Sequence, residues 1–251
     1  MNSKLICFYR ISDSFQKTVK EDGNLLIKDK PDYITKRNCF LNFVKNFGTN
    51  NLFVVADNIC EDTFNFLINH VSKEQVLLTN IGHGAGSFMF ALKKTFNHIF
   101  HDDDMIYFVE DDYVHMPHSS KYIIEGLGIA DYVTLYDHPD KYVNYGEVKN
   151  GCVGNPFIYE NSEQTRVYLT ESTHWKKTNS TTMTFASRVK TLKEDYNIIK
   201  KYCSGTFPHD FYMFRRIIEA NNRLLISSLP AMSTHGETLH LSPLIDWSKH
   251  I

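Results

Sequence analysis

The chain has 251 residues, with 27 Lys and Arg against 29 Asp and Glu, a formal net charge of −2, and 42% hydrophobic and 14% aromatic residues. That apolar load excludes disorder, and 12 Gly with 7 Pro exclude a collagen-like or low-complexity chain. The near-neutral balance offers no electrostatic footprint for nucleic acid or an anionic membrane.

In chain order, Leu5–Tyr9 reads as a buried strand, followed by a polar loop with a turn at Asp22-Gly23. Pro31–Phe47 has helical spacing, with Pro31 in the first turn, Phe40, Phe43, Val44 and Phe47 on one face, and Gly48 as the stop. Leu52–Ala56 is a strand, Asp62–Val71 a helix, Val76–Thr79 a strand, Ser87–Phe100 a helix and Met105–Val109 a strand. This alternation predicts a mostly parallel sheet with helices on both faces, and ligands outside the carboxyl ends of its strands.

The second half is less regular. Tyr132–Tyr136 reads as a strand, and Arg166–Thr170, His174–Lys177 and Thr181–Phe185 as short strands of a smaller antiparallel ribbon. Arg188–Tyr202 and Pro208–Ala220 are helical, and Arg223–Leu229 is a last strand.

The five cysteines are odd in number and widely spaced, without a CxxC, which argues against disulfides and structural zinc. Arg10 and Asp13 interrupt the only N-terminal apolar run, and no window reaches the ~18 apolar residues of a membrane span. The expectation is a soluble, cytoplasmic protein.

Chemistry concentrates where Met105–Val109 runs into Glu110-Asp111-Asp112. Three carboxylates at the end of a buried strand repel one another unless a cation sits among them. A hard divalent cation that also grips a diphosphate fits such oxygen ligands; a solvated loop or an N-cap cluster is the plainer alternative. Along an extended strand Glu110 and Asp112 share a side and Asp111 faces the other way. Asp102-Asp103-Asp104, ahead of the strand, reads as a solvated turn.

A βαβα half followed by a strand that ends in an acidic triplet resembles the GT-A class of nucleotide-sugar glycosyltransferases. Glu110-Asp111-Asp112 stands as a variant of their DxD motif, and small enzymes of this kind are encoded by large DNA viruses, whose Asn-, Lys- and Tyr-rich composition this chain shares. The resemblance implies one GT-A-like (Rossmann-like α/β) catalytic domain over 1–251, with a nucleotide-sugar half (1–112) and an acceptor half (113–251). It implies Mn²⁺ or Mg²⁺ on Asp112 and on His235 after the last strand, with His240 as the fallback and Glu237 orienting the imidazole. It puts a UDP- or GDP-sugar against Tyr9, Arg10, Asp57, Asn80, Gly84, Glu110 and Asp111, and makes Asp210, at a helix start in the second half, the general base of an inverting transfer. Acceptor recognition by a glycan falls to Trp175, His209 and Asp137, with aromatic rings stacking on sugar C–H faces. A metal-dependent hydrolase or phosphoesterase, a non-catalytic carbohydrate-binding protein and a nucleotidyltransferase are the competing readings.

Overall fold

The computed structural model describes residues 3–13, 18–19, 25–26, 29–96, 99–156, 158 and 164–251. The turn expected at Asp22-Gly23 lies outside the described residues. The first half alternates as its hydrophobic pattern requires: β1 (Leu5–Ser12), α1 (Lys36–Phe47), β2 (Leu52–Asp57), α2 (Glu61–Ile68), β3 (Val76–Thr79), α3 (Gly84–Lys94) and β4 (Met105–Glu110). The rest carries β5 (Tyr113–His115), α4 (Ser119–Leu127), β6 (Tyr132–Thr134), β7 (Val167–Leu169), β8 (His174–Lys177), β9 (Phe185–Arg188), α5 (Val189–Glu194), α6 (Tyr196–Tyr202), α7 (Asp210–Asn221), β10 (Leu225–Leu229) and β11 (Ser233–His235).

Nine strands form one Rossmann-like sheet in the order β7-β8-β10-β6-β9-β4-β1-β2-β3. Strands β3, β2, β1 and β4 run parallel, as do β6 and β10, whereas β9 is antiparallel to both β4 and β6. The ribbon strands expected at 166–170 and 174–177 form as β7 and β8, and they extend one edge of this sheet instead of standing apart. A separate small antiparallel ribbon pairs β5 with β11, two elements with no hydrophobic run long enough to mark them in the sequence.

Period-two alternation in β1 and β4 builds a core on each face. Cys7, Tyr9, Ile11, Tyr107 and Val109 face α1, α2 and α4, while Ile6, Phe8, Ile106 and Phe108 face α3 and α5–α7. Tyr9, expected at the nucleotide, is therefore a core residue: it is fully buried, with its ring centroid 5.3 Å from Phe40 and 5.1 Å from Phe43. Trp175, expected at the acceptor, is also fully buried. Its indole N–H donates to Thr170 Oγ1 at 3.0 Å, and its ring lies so close to α4 that a Cβ on Gly126 would meet it at 2.9 Å. No sugar can stack there.

The helices expected at 62–71 and 87–100 run over Glu61–Ile68 and Gly84–Lys94, and three further boundaries differ for local reasons. Pro31 precedes α1, which Thr35 caps by accepting from the Asn38 amide. The expected helix 188–202 breaks at the fully buried Asp195, whose carboxylate is claimed by Tyr132 and Arg223. The expected strand 181–185 begins only at Phe185, because Thr182 and Met183 turn through positive φ (48° and 55°).

His115 on β5 is completely buried. Tyr107 Oη and His115 Nε2 share a 2.8 Å hydrogen bond, and the rings of Phe43 and Phe47 stand edge-on to the imidazole. Burial pushes its pKa down to about 3 from 6.5. The folded state thus keeps this ring neutral while the unfolded chain protonates it below about pH 6.5, so stability falls as pH drops through the window from about 6.5 to about 3. The expected contribution at pH 5 is a loss of about 2 kcal/mol. Thermal unfolding at pH 7 and pH 5 should show a drop that is markedly smaller in His115→Gln than in the wild type.

Candidate functional site

The site lies at the carboxyl ends of β1, β2 and β4, where the registers align Arg10 with Glu110 and Ser12 with Asp57. Strand β4 ends at Glu110, Asp111 and Asp112 make the turn, and β5 starts at Tyr113. The β5–β11 ribbon sets Tyr113 opposite His235, bringing together two parts of the chain that are more than 120 residues apart in sequence. Single ligand atoms of Glu110, Asp112 and His235 all lie within 4.8 Å of one another. Glu110 and Asp112 thus share a side, and Asp111 turns away to accept from the Ser12 amide at 3.1 Å.

Each carboxylate of the triplet has a basic partner from the first 36 residues. Arg10 Nη2 lies 2.7 Å from Glu110 Oε1, Lys36 Nζ 3.5 Å from Asp111 Oδ2, and Lys30 Nζ 2.7 Å from Asp112 Oδ2. The cation that the triplet demands is therefore supplied in part by the protein itself. Lys30 was not legible in the sequence, since nothing local distinguishes it from other lysines. On the same Asp112 oxygen, His235 Nε2 sits at 3.3 Å. Asp112 Oδ1 and His235 Nδ1 are buried without a hydrogen-bond partner.

These contacts set the charge states. Burial opposes the Asp112 charge, but His235 and Lys30 outweigh it and hold the carboxyl well below the usual carboxylate range. Burial likewise opposes a charged His235, yet Asp112 and Glu237 raise its pKa above the ordinary histidine value. Burial pushes Asp111 up against the pull of Lys36.

Behind the ribbon, the C-terminal loop closes on the acidic turn. The Thr238 amide donates to the Asp29 carbonyl at 2.9 Å, which ties the Lys30 segment to the residues after His235. Gly236 is wedged between them: a Cβ there would lie 2.6 Å from the Asp112 carbonyl oxygen and 2.4 Å from Ile34 Cγ2. Gly236→Ala should therefore cost about 1–3 kcal/mol, as overpacked sites do, visible as a lowered urea midpoint at constant slope. At the rim, His240 Nδ1 lies 3.0 Å from Glu237 Oε2, and His235, Glu237 and His240 form a second group of potential ligands.

Several residues expected to touch the donor instead build the walls. Arg10 is buried, with its guanidinium given to Glu110, the Gly84 carbonyl (3.0 Å) and Ser87 Oγ. The Asp57 carboxylate accepts from the Ile81 and Gly82 amides at 2.6 and 2.8 Å, shaping the loop in which Gly82 adopts φ 83°. Gly84 opens α3 and offers its carbonyl to Arg10, while Asn80 is exposed beside it.

The acceptor-side assignments also change. Asp137 is buried against Lys176 Nζ at 2.8 Å and accepts from Tyr142 Oη, so it is already paired. His209 is exposed just before α7, and its side chain does not cap that helix. Asp210 does begin α7, but its carboxylate accepts four hydrogen bonds: Thr181 Oγ1 (2.6 Å) and the Met183 amide (3.1 Å) on Oδ1, and the Thr181 (2.8 Å) and Thr182 (3.1 Å) amides on Oδ2. Two carboxylate oxygens offer about four lone-pair sites, and the 181–183 turn engages all of them. Asp210 thus holds this turn.

Comparison with known proteins gives no family match and no curated relative by sequence. Among solved structures, the chain is similar to a 4-diphosphocytidyl-2C-methyl-D-erythritol synthase (12% identity over 99% of this chain and 98% of that one, TM-score 0.43). It is similar to the 2-C-methyl-D-erythritol 4-phosphate cytidylyltransferase of Francisella tularensis (10% identity, 98% of each chain, TM-score 0.49). It is also similar to S. aureus TarS (14% identity over 89% of this chain but 35% of that one, TM-score 0.46). At these identities and scores they carry no argument about what this chain does. Among the described residues no helix is long and apolar enough to cross a membrane.

Proposed function

We propose that this chain is a transferase of the nucleotide-sugar class, moving a sugar from a nucleoside-diphosphate donor to a hydroxyl of an acceptor glycan. The observation that carries the reading is the Glu110–Asp112–His235 group at the carboxyl ends of parallel strands, with Asp112 Oδ1 buried and unpartnered. Two carboxylates and an imidazole suit Mn²⁺, with Mg²⁺ second. Glu110, Asp112 and His235 would hold it, and a divalent ion there supplies charge neutralisation for a leaving diphosphate.

The chain's own residues supply the proton transfer. With Asp210 committed to its turn, the acceptor proton falls to His240, whose ring is oriented by Glu237 at 3.0 Å. Glu237 fixes the Nδ1–H tautomer, so Nε2 presents the lone pair. The acceptor oxygen gives its proton to Nε2 and bonds to the anomeric carbon, while the bond from that carbon to the diphosphate oxygen breaks. Attack opposite the leaving group inverts the configuration.

A thermal-shift panel of UDP- and GDP-sugars with and without Mn²⁺ tests the class. The expected result is a stabilisation that requires both Mn²⁺ and one nucleotide; no shift with any pair sinks the reading. One observation favours a second reading, a metal-dependent hydrolase: His235, Glu237 and His240 form a two-histidine, one-carboxylate ligand set. In that reading His240 ligates and water replaces the acceptor, so release of free sugar whatever acceptor is supplied would select it.

A further inference from the structure

We propose that Lys30 is a built-in competitor for the divalent cation: its ammonium occupies Asp112 until a nucleoside diphosphate draws it away, so that metal and nucleotide bind cooperatively. The inference rests on the metal reading of Glu110, Asp112 and His235 given above.

The geometry that motivates it is specific to Lys30. Arg10 and Lys36 also pair with the acidic turn, but they pair with Glu110 and Asp111, and Arg10 is further committed to α3. Lys30 alone among the described basic side chains lies within salt-bridge distance of Asp112 besides His235, at 2.7 Å on Oδ2. Its side chain is 30% exposed, against 5% for Arg10, so its head can leave for solvent or a ligand without a burial cost.

A lysine ammonium is a compact charge on a flexible four-carbon stem, unlike the rigid fork of an arginine, and can move between neighbouring anions. A dication on the unpartnered Oδ1 of Asp112 repels an ammonium held on Oδ2 of the same carboxylate and weakens its hold there. The displaced head remains beside the site because its backbone is held there. The neighbouring Asp29 carbonyl accepts from the Thr238 amide in the loop that follows His235, and Gly236 packs directly onto Asp112. A diphosphate bound at the strand ends then offers it new anionic oxygens. Relieving the competition for Asp112 makes the nucleotide raise metal affinity, and by linkage the metal raises nucleotide affinity by the same factor.

The test uses the full chain and Mn²⁺ alone, titrated by water-proton relaxation, for wild type, Lys30→Gln and Lys30→Arg, then repeated with saturating UDP or GDP. The expected result is that Lys30→Gln binds Mn²⁺ about tenfold more tightly than wild type without nucleotide, a change of about 1.4 kcal/mol. The nucleotide should strengthen Mn²⁺ binding in wild type and do so much less in Lys30→Gln, while Lys30→Arg, which keeps a cation in place, stays closer to wild type. Thermal unfolding of each variant controls for folding, and the arginine variant keeps the comparison open should the glutamine one be unstable. If wild type binds Mn²⁺ and Lys30→Gln binds it equally or more weakly, the lysine is no competitor and this inference alone falls. If no folded variant binds Mn²⁺, the metal reading falls and takes the inference with it.

Discussion

Asp112→Asn should fold, lose all Mn²⁺-dependent stabilisation and transfer sugar roughly a thousandfold more slowly than wild type, the scale of losing one key electrostatic group at a reacting centre. The substitution keeps the shape of the side chain and removes only its charge. Asp112 is the one residue of the triplet that meets both His235 and Lys30, and one of its oxygens is buried without a partner. The cost to the fold is smaller, about 1–2 kcal/mol. Lys30 can turn its head to solvent, and the loss of Asp112 removes the main influence that raises the His235 pKa. Asp111→Asn is the contrasting case. Asp111 is spent on the Ser12 amide and on Lys36, so its loss should reduce transfer by no more than about tenfold, the scale of one partly exposed polar contact. The two variants, compared by initial rates and by Mn²⁺ thermal shift, separate the roles; a larger defect in Asp111→Asn would reverse the assignment.

The framework was legible because it is written in local periodicity. The strands through Met105–Glu110 and their intervening helices need only apolar spacing and caps, and their carboxyl ends mark where to look. The pairing of Glu110 with Asp112 on one side followed from the strand period, whereas His235 came from the resemblance to GT-A enzymes. What stayed hidden depends on partners distant in sequence. An aromatic residue in a polar neighbourhood, such as Trp175, reads equally as a platform or as core until the helix packed over it is known, and here that helix was missed in the sequence. Arg10, Asp57, Asp137 and Asp210 are polar residues at strand and helix ends, where binding residues also occur. Each is instead consumed by the backbone or by an opposite charge that the fold delivers from elsewhere. Lys30 shows the limit most directly. Three carboxylates at a strand end need an offsetting cation, and part of that charge comes from a lysine more than 80 residues upstream of Asp112.

The commitment of Asp210 leads to the second large effect. Asp210→Asn should lower stability by about 2–4 kcal/mol, because several charge-assisted hydrogen bonds are lost together. Asparagine replaces one carboxylate oxygen by an NH₂ group, and either orientation aims that donor at two others: Thr181 and Thr182 amides on one side, or the Thr181 hydroxyl and Met183 amide on the other. The hydroxyl can rotate to accept, but the amides cannot. The turn they belong to already holds Thr182 and Met183 at positive φ, a conformation that non-glycine residues adopt only when their surroundings enforce it. Once released, the turn relaxes, and it does so beside the acidic motif: Thr184 Oγ1 accepts from the Glu110 amide at 3.2 Å, and Tyr113 Oη reaches the Thr181 carbonyl at 3.4 Å. A general base and a structural clamp predict opposite pairs of results. Removing a base leaves the melting temperature in place and cuts kcat by the 10²–10⁴-fold typical of such groups. Removing the clamp drops the melting temperature by several degrees, as about 2–4 kcal/mol does in a chain of this size, while kcat measured well below the transition falls by no more than about tenfold, since no transferring proton is involved. Asp210→Asn with an unchanged melting temperature and a collapsed kcat would restore the carboxylate to the chemistry. The expected pattern is the reverse, with His240→Gln showing the intact fold and the large loss in kcat.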